Sequence, residues 1–227
     1  MKKITLVLLS FVFHLICISQ SIQTDITQEK LEQFKREYQY LQDVQTTDFL
    51  LKDKNKRTVR LNDFRDKVII IDFWSTGCGA SISDFPYLSK LQSFYKDTSK
   101  IIFIGICIDL KKKKSEWKKL LVKHQMDGIQ LFLPMKNNST LENRFYLDSI
   151  KSFPTYLLVS KSGMILGKLP NTESNLMPYI IDNGLNGKYT ANSFEEAITF
   201  SDTFKKWFFA NYSKTVELKK IITKSEK

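Results

Sequence analysis

An α/β fold with a central mixed sheet is predicted by three features of the 227-residue chain. Val68 to Phe73 and Ile101 to Ile108 are continuous apolar runs rich in β-branched residues, as expected of strands buried on both faces. Apolar residues at helical spacing follow each run, so strand and helix alternate and the strands pair in parallel. The stretch "FPTYLLVSKSGMILGKL" holds two strand-like runs around the turn dipeptide Ser162-Gly163, which closes the sheet with an antiparallel hairpin. With 42% hydrophobic and 13% aromatic residues the chain can fill one such core.

The elements follow in order from the N-terminus. Lys2 and Lys3 precede an apolar run from Ile4 to Ile18 and a small-residue site, Cys17-Ile18-Ser19 before Gln20. This is the pattern of a cleaved secretory signal over residues 1–20, which directs the chain to the periplasm or cell envelope. A spanning anchor needs about 20 apolar residues, and Ser10 and His14 interrupt this run. Cys17 is a lipidation candidate, although His14-Leu15-Ile16 lacks the small residue that such processing prefers.

Ile26, Leu31, Phe34, Tyr38 and Leu41 fit an amphipathic helix, giving an N-terminal helical segment over residues 21–47. After Asp48, "FLLKDKNKRTVRLNDFRDK" carries two short extended runs around a polar turn at Lys54 to Lys56, a hairpin signal. The first buried strand comes next, then a helix marked by Phe85, Leu88, Leu91 and Tyr95. The second strand ends at Asp109. Trp117, Leu120, Leu121 and His124 then fall at helical spacing, leaving Lys111 to Lys114 on a solvated face. The sheet domain is expected over residues 48–186. Residues 187–227 read as a C-terminal extension of one or two helices with a charged tail, and no internal repeat is present.

The formal charge of +11 stays strongly positive without the signal lysines. The basic residues are mostly lysines spread along the chain, which argues against nucleic-acid binding. Weak peripheral attraction to anionic membrane surfaces or acidic proteins is the reading that remains.

The stretch "IDFWSTGCGASISDFP", Ile71 to Pro86, runs from an apolar strand through Trp74 into a turn carrying Cys78, then into a helix-like segment with a proline. A dithiol site would place a second cysteine three positions on, and that position holds Ser81. From Phe49 to about Gly184 the chain resembles the thioredoxin-like domain of the TlpA/ResA type, the secreted thiol-disulfide oxidoreductases related to the AhpC/TSA redoxins. "DFLLKDKNKRTVRLNDFRDKVIIIDFW" is similar to the family's hairpin and central strand, and "STGCGAS" to its active-site turn. "SDFPYLSKL", "IFIGICID" and "SFPTYLLVSKSGMIL" match its helix, next strand and cis-proline hairpin. The resemblance implies a thioredoxin-like three-layer fold with a central mixed sheet, an N-terminal hairpin and helical N- and C-terminal additions.

Cys78 is the candidate nucleophile. At a helix N-terminus its sulfur would face unpaired N–H groups and the positive end of the helix dipole, which favour the thiolate. Gly77 and Gly79 are expected to let the backbone turn tightly and leave the sulfur approachable, and Gly77 replaces the family's usual aromatic. By resemblance Pro154 is the family's cis-proline facing the turn, with Phe153 and Thr155 lining a groove for an extended peptide. Trp74 borders the same site, chiefly as a packing residue.

Asp72 matches the buried acid that moves protons beneath the family's dithiol; without that thiol it reads equally as a hydrogen-bonded core acid. Asp84 reads as a first-turn helix acid with no catalytic role. Ser81 cannot resolve a mixed disulfide, although its hydroxyl can donate to the neighbouring sulfur. Cys107 could lie toward the Cys78 end of the sheet, yet burial in an apolar strand is the commoner fate of such a residue.

No cofactor and no metal site are expected, since the two histidines, His14 and His124, leave no mature pair for zinc. The peroxidase class of the wider redoxin family places a threonine and a proline ahead of its cysteine; here Thr76 lies two positions before Cys78 and no proline precedes it, so peroxidase chemistry is weakly supported. Two function classes stay open. One is a monothiol oxidoreductase or isomerase acting on protein or peptide thiols and disulfides, with a small thiol as resolver. The other is a redox-inactive binding module for envelope proteins.

Overall fold

The computed structural model describes residues 44–46, 48–95, 99–135, 152–169, 172, 176–188 and 202–225. The expected secretory signal and most of the expected N-terminal helical segment lie outside the described residues. Strands β1 (Leu50–Lys52) and β2 (Thr58–Arg60) form the expected hairpin. Its turn is held by Asp53, whose Oδ1 accepts the backbone N–H groups of Asn55 and Arg57, both at 2.8 Å.

The main sheet holds β3 (Val68–Trp74), β4 (Ile101–Leu110), β5 (Ile129–Met135), β6 (Thr155–Val159) and β7 (Ile165–Leu169). Their order is β5-β4-β3-β6-β7, with β4 parallel to both β3 and β5, and with β6 antiparallel to both β3 and β7. Gly163 takes the left-handed conformation (φ 84°) in the β6–β7 turn, where a residue with a Cβ would be strained. All seven residues of β3 are buried, as a central strand covered on both faces requires.

Successive β3 side chains point to opposite faces. Val68, Ile70 and Trp74 join a core with helices α1 (Gly79–Ser83), α2 (Phe85–Phe94), α3 (Lys114–Lys123) and α4 (Met177–Leu185), Ser81 being the buried residue of α1. Ile69, Ile71 and Phe73 join a second core with Phe49 and Leu61, beside the hairpin. Each fully buried residue of this kind contributes about 1.5–3 kcal/mol.

Three departures from the sequence reading have clear causes. β5 escaped the periodicity reading because Pro134 interrupts its apolar run. Proline is tolerated there because β5 is the edge strand of the sheet. The single helix expected around Phe85 is two, α1 and α2, parted at Asp84. Pro86 has no N–H to donate to the preceding turn, so it sits in the first turn of α2. The apolar stretch at Met177, unassigned from sequence, forms α4.

The C-terminal extension contributes α5 (Asp202–Ala210) and α6 (Tyr212–Ser225). Tyr179 of α4 meets the rings of Phe204 and Trp207 at centroid distances of 5.0 and 5.2 Å. Asp182 of α4 accepts from Trp207 Nε1–H at 2.8 Å and from the Tyr95 hydroxyl at 2.7 Å, joining α5 to the end of α2. Leu218 of α6 is wholly buried in the same core. The surface pair Lys90–Glu217, 2.8 Å apart and exposed at both ends, adds little.

Candidate active site

The end of β3 delivers the turn Ser75 to Cys78, and Cys78 is the N-cap residue of α1. The thiol is half-buried and donates to the backbone carbonyl of Phe153 at 3.3 Å. The Phe153–Pro154 peptide bond is cis. Two segments 75 residues apart in the chain, the turn after β3 and the loop before β6, therefore meet at one sulfur. Phe153 and Pro154 are themselves half-buried, so the loop presents surface beside the thiol.

Several assignments change with the structure. Trp74 is wholly buried and packs edge-on against Phe85, with ring centroids 5.0 Å apart. Its side chain supports the turn from inside and is not available to a substrate. Thr155 is also buried, pairs with Phe73, and donates its hydroxyl to Ser152 O at 2.8 Å. It closes the loop rather than lining it with its side chain. Gly77 and Gly79 are exposed, neither has positive φ, and a Cβ at either would meet no atom within 4 Å. Steric necessity of the turn does not require them; what they do is leave the approach to Cys78 uncovered.

Ser81 is 1% exposed, and its Oγ has no hydrogen-bond partner. The expected donation to the Cys78 sulfur is absent because the helix turns this side chain into the interior. Asp72 is buried on the same β3 face as Ile70 and Trp74. Burial, and secondarily the charge of Asp84, push its carboxyl well above the usual carboxylate range. Asp72 Oδ1 has no partner, and neither has Gln130 Oε1; both residues line a cavity of about 30 Å³. They stand in one row across the sheet, Asp72 opposite Gly105 and Gly105 opposite Gln130. A Cβ at Gly105 would collide with Gln130 Oε1, so only glycine lets that amide lie over β4.

Asp84 does not cap its helix with its side chain. Its carboxylate instead accepts the hydroxyls of Tyr156 at 2.5 Å and Thr172 at 2.6 Å. Burial raises its proton affinity, and these two bonds oppose that rise. Cys107 is 0% exposed and lies opposite Trp74 in the β3–β4 register. Burial, then the charge of Asp109, drive its thiol far above the ordinary cysteine range, so it is an inert core residue in this arrangement.

Sequence reasoning passed over Asp109 and Thr76. Asp109 Oδ2 accepts Thr76 Oγ1 at 2.5 Å, Thr76 N at 3.1 Å and Ser75 Oγ at 3.3 Å, while Oδ1 accepts Leu110 N at 2.7 Å. Burial alone would raise this carboxyl, but the bonds from Thr76, Leu110 and Ser75 prevail and hold it below the usual range. The usable signal was an acid at the end of a strand parallel to the one that carries the cysteine turn.

Residues 66–165 match a family model described as thioredoxin-like. The thioredoxin-like protein YneN of Bacillus subtilis is 25% identical over 131 residues, which span 58% of this chain and 72% of that protein. The thiol-disulfide oxidoreductase ResA of Geobacillus thermodenitrificans is 37% identical over 49 residues, spanning 22% of this chain but only 28% of ResA. Among solved structures, a candidate thiol-disulfide oxidoreductase of Bacteroides vulgatus superposes with a TM-score of 0.53 at 25% identity, covering 64% of this chain and 98% of the other. Taken with the sheet order and the Cys78 turn, these likenesses show a thioredoxin-like fold and support a TlpA/ResA-like redoxin of the thiol-disulfide oxidoreductase type.

Proposed function

We propose that this protein carries out thiol-disulfide exchange through one nucleophilic cysteine, Cys78, on protein or peptide disulfides outside the cytoplasm. The observation that carries the reading is the meeting of the half-buried Cys78 thiol with the Phe153 carbonyl beside cis-Pro154. That arrangement puts a reactive sulfur next to backbone groups able to pair with an extended peptide. The relatives named as thiol-disulfide oxidoreductases support the reaction class. Lys2-Lys3 and the apolar run to Ile18 support export.

The Cys78 thiolate attacks one sulfur of a substrate disulfide. A new S–S bond forms to Cys78, the substrate S–S bond breaks, and the second substrate sulfur leaves as thiolate with the bonding electrons. Ser81 offers no second thiol, Cys107 is wholly buried and Cys17 falls in the proposed export signal, so a thiol from outside the mature chain resolves the adduct. A small thiol or a free thiol of the substrate meets that need, giving reduction in the first case and isomerisation in the second.

The test is to incubate the purified protein with a peptide containing one disulfide and identify adducts by mass spectrometry. A stable adduct at Cys78, absent from Cys78→Ala and released by an added small thiol, is expected. No adduct at Cys78 over hours with excess peptide would overturn the reading.

A further inference from the structure

We propose that Asp109 is the positioning residue of this site: its carboxylate ties the turn from Ser75 to Cys78 to the end of β4 and so sets the Cys78 sulfur against the cis-Pro154 loop. The inference rests on the reading of Cys78 as the nucleophile. Every residue of the turn is bonded to Asp109 directly or at one remove. Thr76 donates to it through both N–H and hydroxyl, and Ser75 through its hydroxyl. Ser75 in turn accepts Gly77 N–H on its Oγ at 3.4 Å and Cys78 N–H on its carbonyl at 3.1 Å.

Nothing else seen on the turn could do this work as well. Gly77 and Gly79 have no side chains, and open space surrounds both positions, so packing does not fix their backbone. Among the described residues, the hydrogen bond that crosses from the turn to the Phe153 loop is the thiol's own donation at 3.3 Å, and a thiol is a weak donor. Bonds to an ionised carboxylate are roughly twice as strong as neutral ones. Thr76 is 5% exposed, so losing the Asp109 acceptor would leave its buried hydroxyl unpaired and free the turn to shift. The anchor itself is rigid: β4 is paired on both sides, with Cys107 opposite Trp74 and Asp109 opposite Pro134.

A peptide disulfide must engage the sulfur and the cis-proline loop together, whereas a small neutral disulfide needs only the sulfur. Loosening the turn should therefore slow the peptide more than the small reagent. The ratio of the two rates also cancels any change in thiolate fraction. Second-order rates of Cys78 modification would be measured for a disulfide-containing peptide and for 2,2′-dithiodipyridine, on the full chain and on Asp109→Ala, Asp109→Asn, Thr76→Val and Asp109→Ala/Thr76→Val. Circular dichroism melts would be recorded alongside.

The ratio of peptide to small-reagent rate is expected to fall about tenfold in Asp109→Ala, since misplacement on the ångström scale is enough for such a loss. Asp109→Asn keeps one acceptor oxygen and should recover part of the ratio. Thr76→Val should lower it in the same direction, and adding Thr76→Val to Asp109→Ala should lower it no further. A ratio within about twofold of the unmutated protein in Asp109→Ala, whatever its melting temperature, overturns the positioning role. If Asp109→Ala does not fold, Asp109→Asn and Thr76→Val decide by the same ratio, and no fall in either overturns it. If the unmutated protein forms no adduct with either reagent, it is the nucleophile reading that has failed.

Discussion

Replacing Asp72 by Asn should make the protein more stable relative to its parent as pH rises. The Asp72 carboxyl is buried among apolar side chains with one oxygen unpartnered, and Asp84 adds a second negative charge nearby, so its protonated form is favoured in the fold. In the unfolded chain the same group ionises with a pKa of about 3.9. Above that value the unfolded state has released this proton while the native state still holds it, so the unfolded state binds fewer protons and stability falls with rising pH. The slope is about 1.4 kcal/mol per pH unit from the unfolded pKa up to the raised native one, and it flattens beyond. Asparagine never ionises, so the slope is absent from the variant, and its Nδ2 can donate toward the orphaned Gln130 Oε1 across Gly105. Urea unfolding of both proteins, followed by tryptophan fluorescence from pH 4.5 to 8, gives the difference directly. A difference that is flat over this range, or that shifts in favour of the parent as pH rises, would show Asp72 ionised in the native state and refute the reasoning.

Three further outcomes are expected. Ser81→Cys replaces a buried hydroxyl that has no partner, so the melting temperature should hold or rise by a few degrees by calorimetry, and a clear fall would argue against an unpaired Oγ. Trp207→Phe removes the Nε1–H bond to the partly buried Asp182 carboxylate. It should cost about 1–3 kcal/mol by urea unfolding, and an unchanged midpoint would argue against docking of α5 through this bond. Gly105→Ala forces the Gln130 amide off β4 and should destabilise by about 1–3 kcal/mol, while Gly105→Ala/Gln130→Ala should recover most of that loss.

The C-terminal helices bear directly on α2, the helix that follows α1. Asp182 links Trp207 of α5 to Tyr95 at the end of α2, and α6 lies against the same helix. The segment that follows the Cys78 turn is therefore packed on the sheet on one side and against the extension on another.

The alternation of β-branched runs with helical spacing was enough, without coordinates, to specify the central sheet, because burial leaves β3 and β4 apolar apart from Asp72 and Asp109. The hairpin at Asp53, the turn at Gly163 and Cys78 at a strand-to-helix turn were legible for the same reason: each depends on residues adjacent in the chain. Tertiary structure alone decided the rest. Which face of α1 turns inward determines that Ser81 is buried and does not reach the Cys78 sulfur. The parallel register of β3 and β4 brings Asp109 under Ser75 and Thr76, 33 residues away in the chain for Thr76. The row Asp72, Gly105 and Gln130 likewise exists only once three strands are aligned. Periodicity records which side of an element is apolar, but hydrogen bonds between elements depend on their relative registers, which only the packed sheet sets.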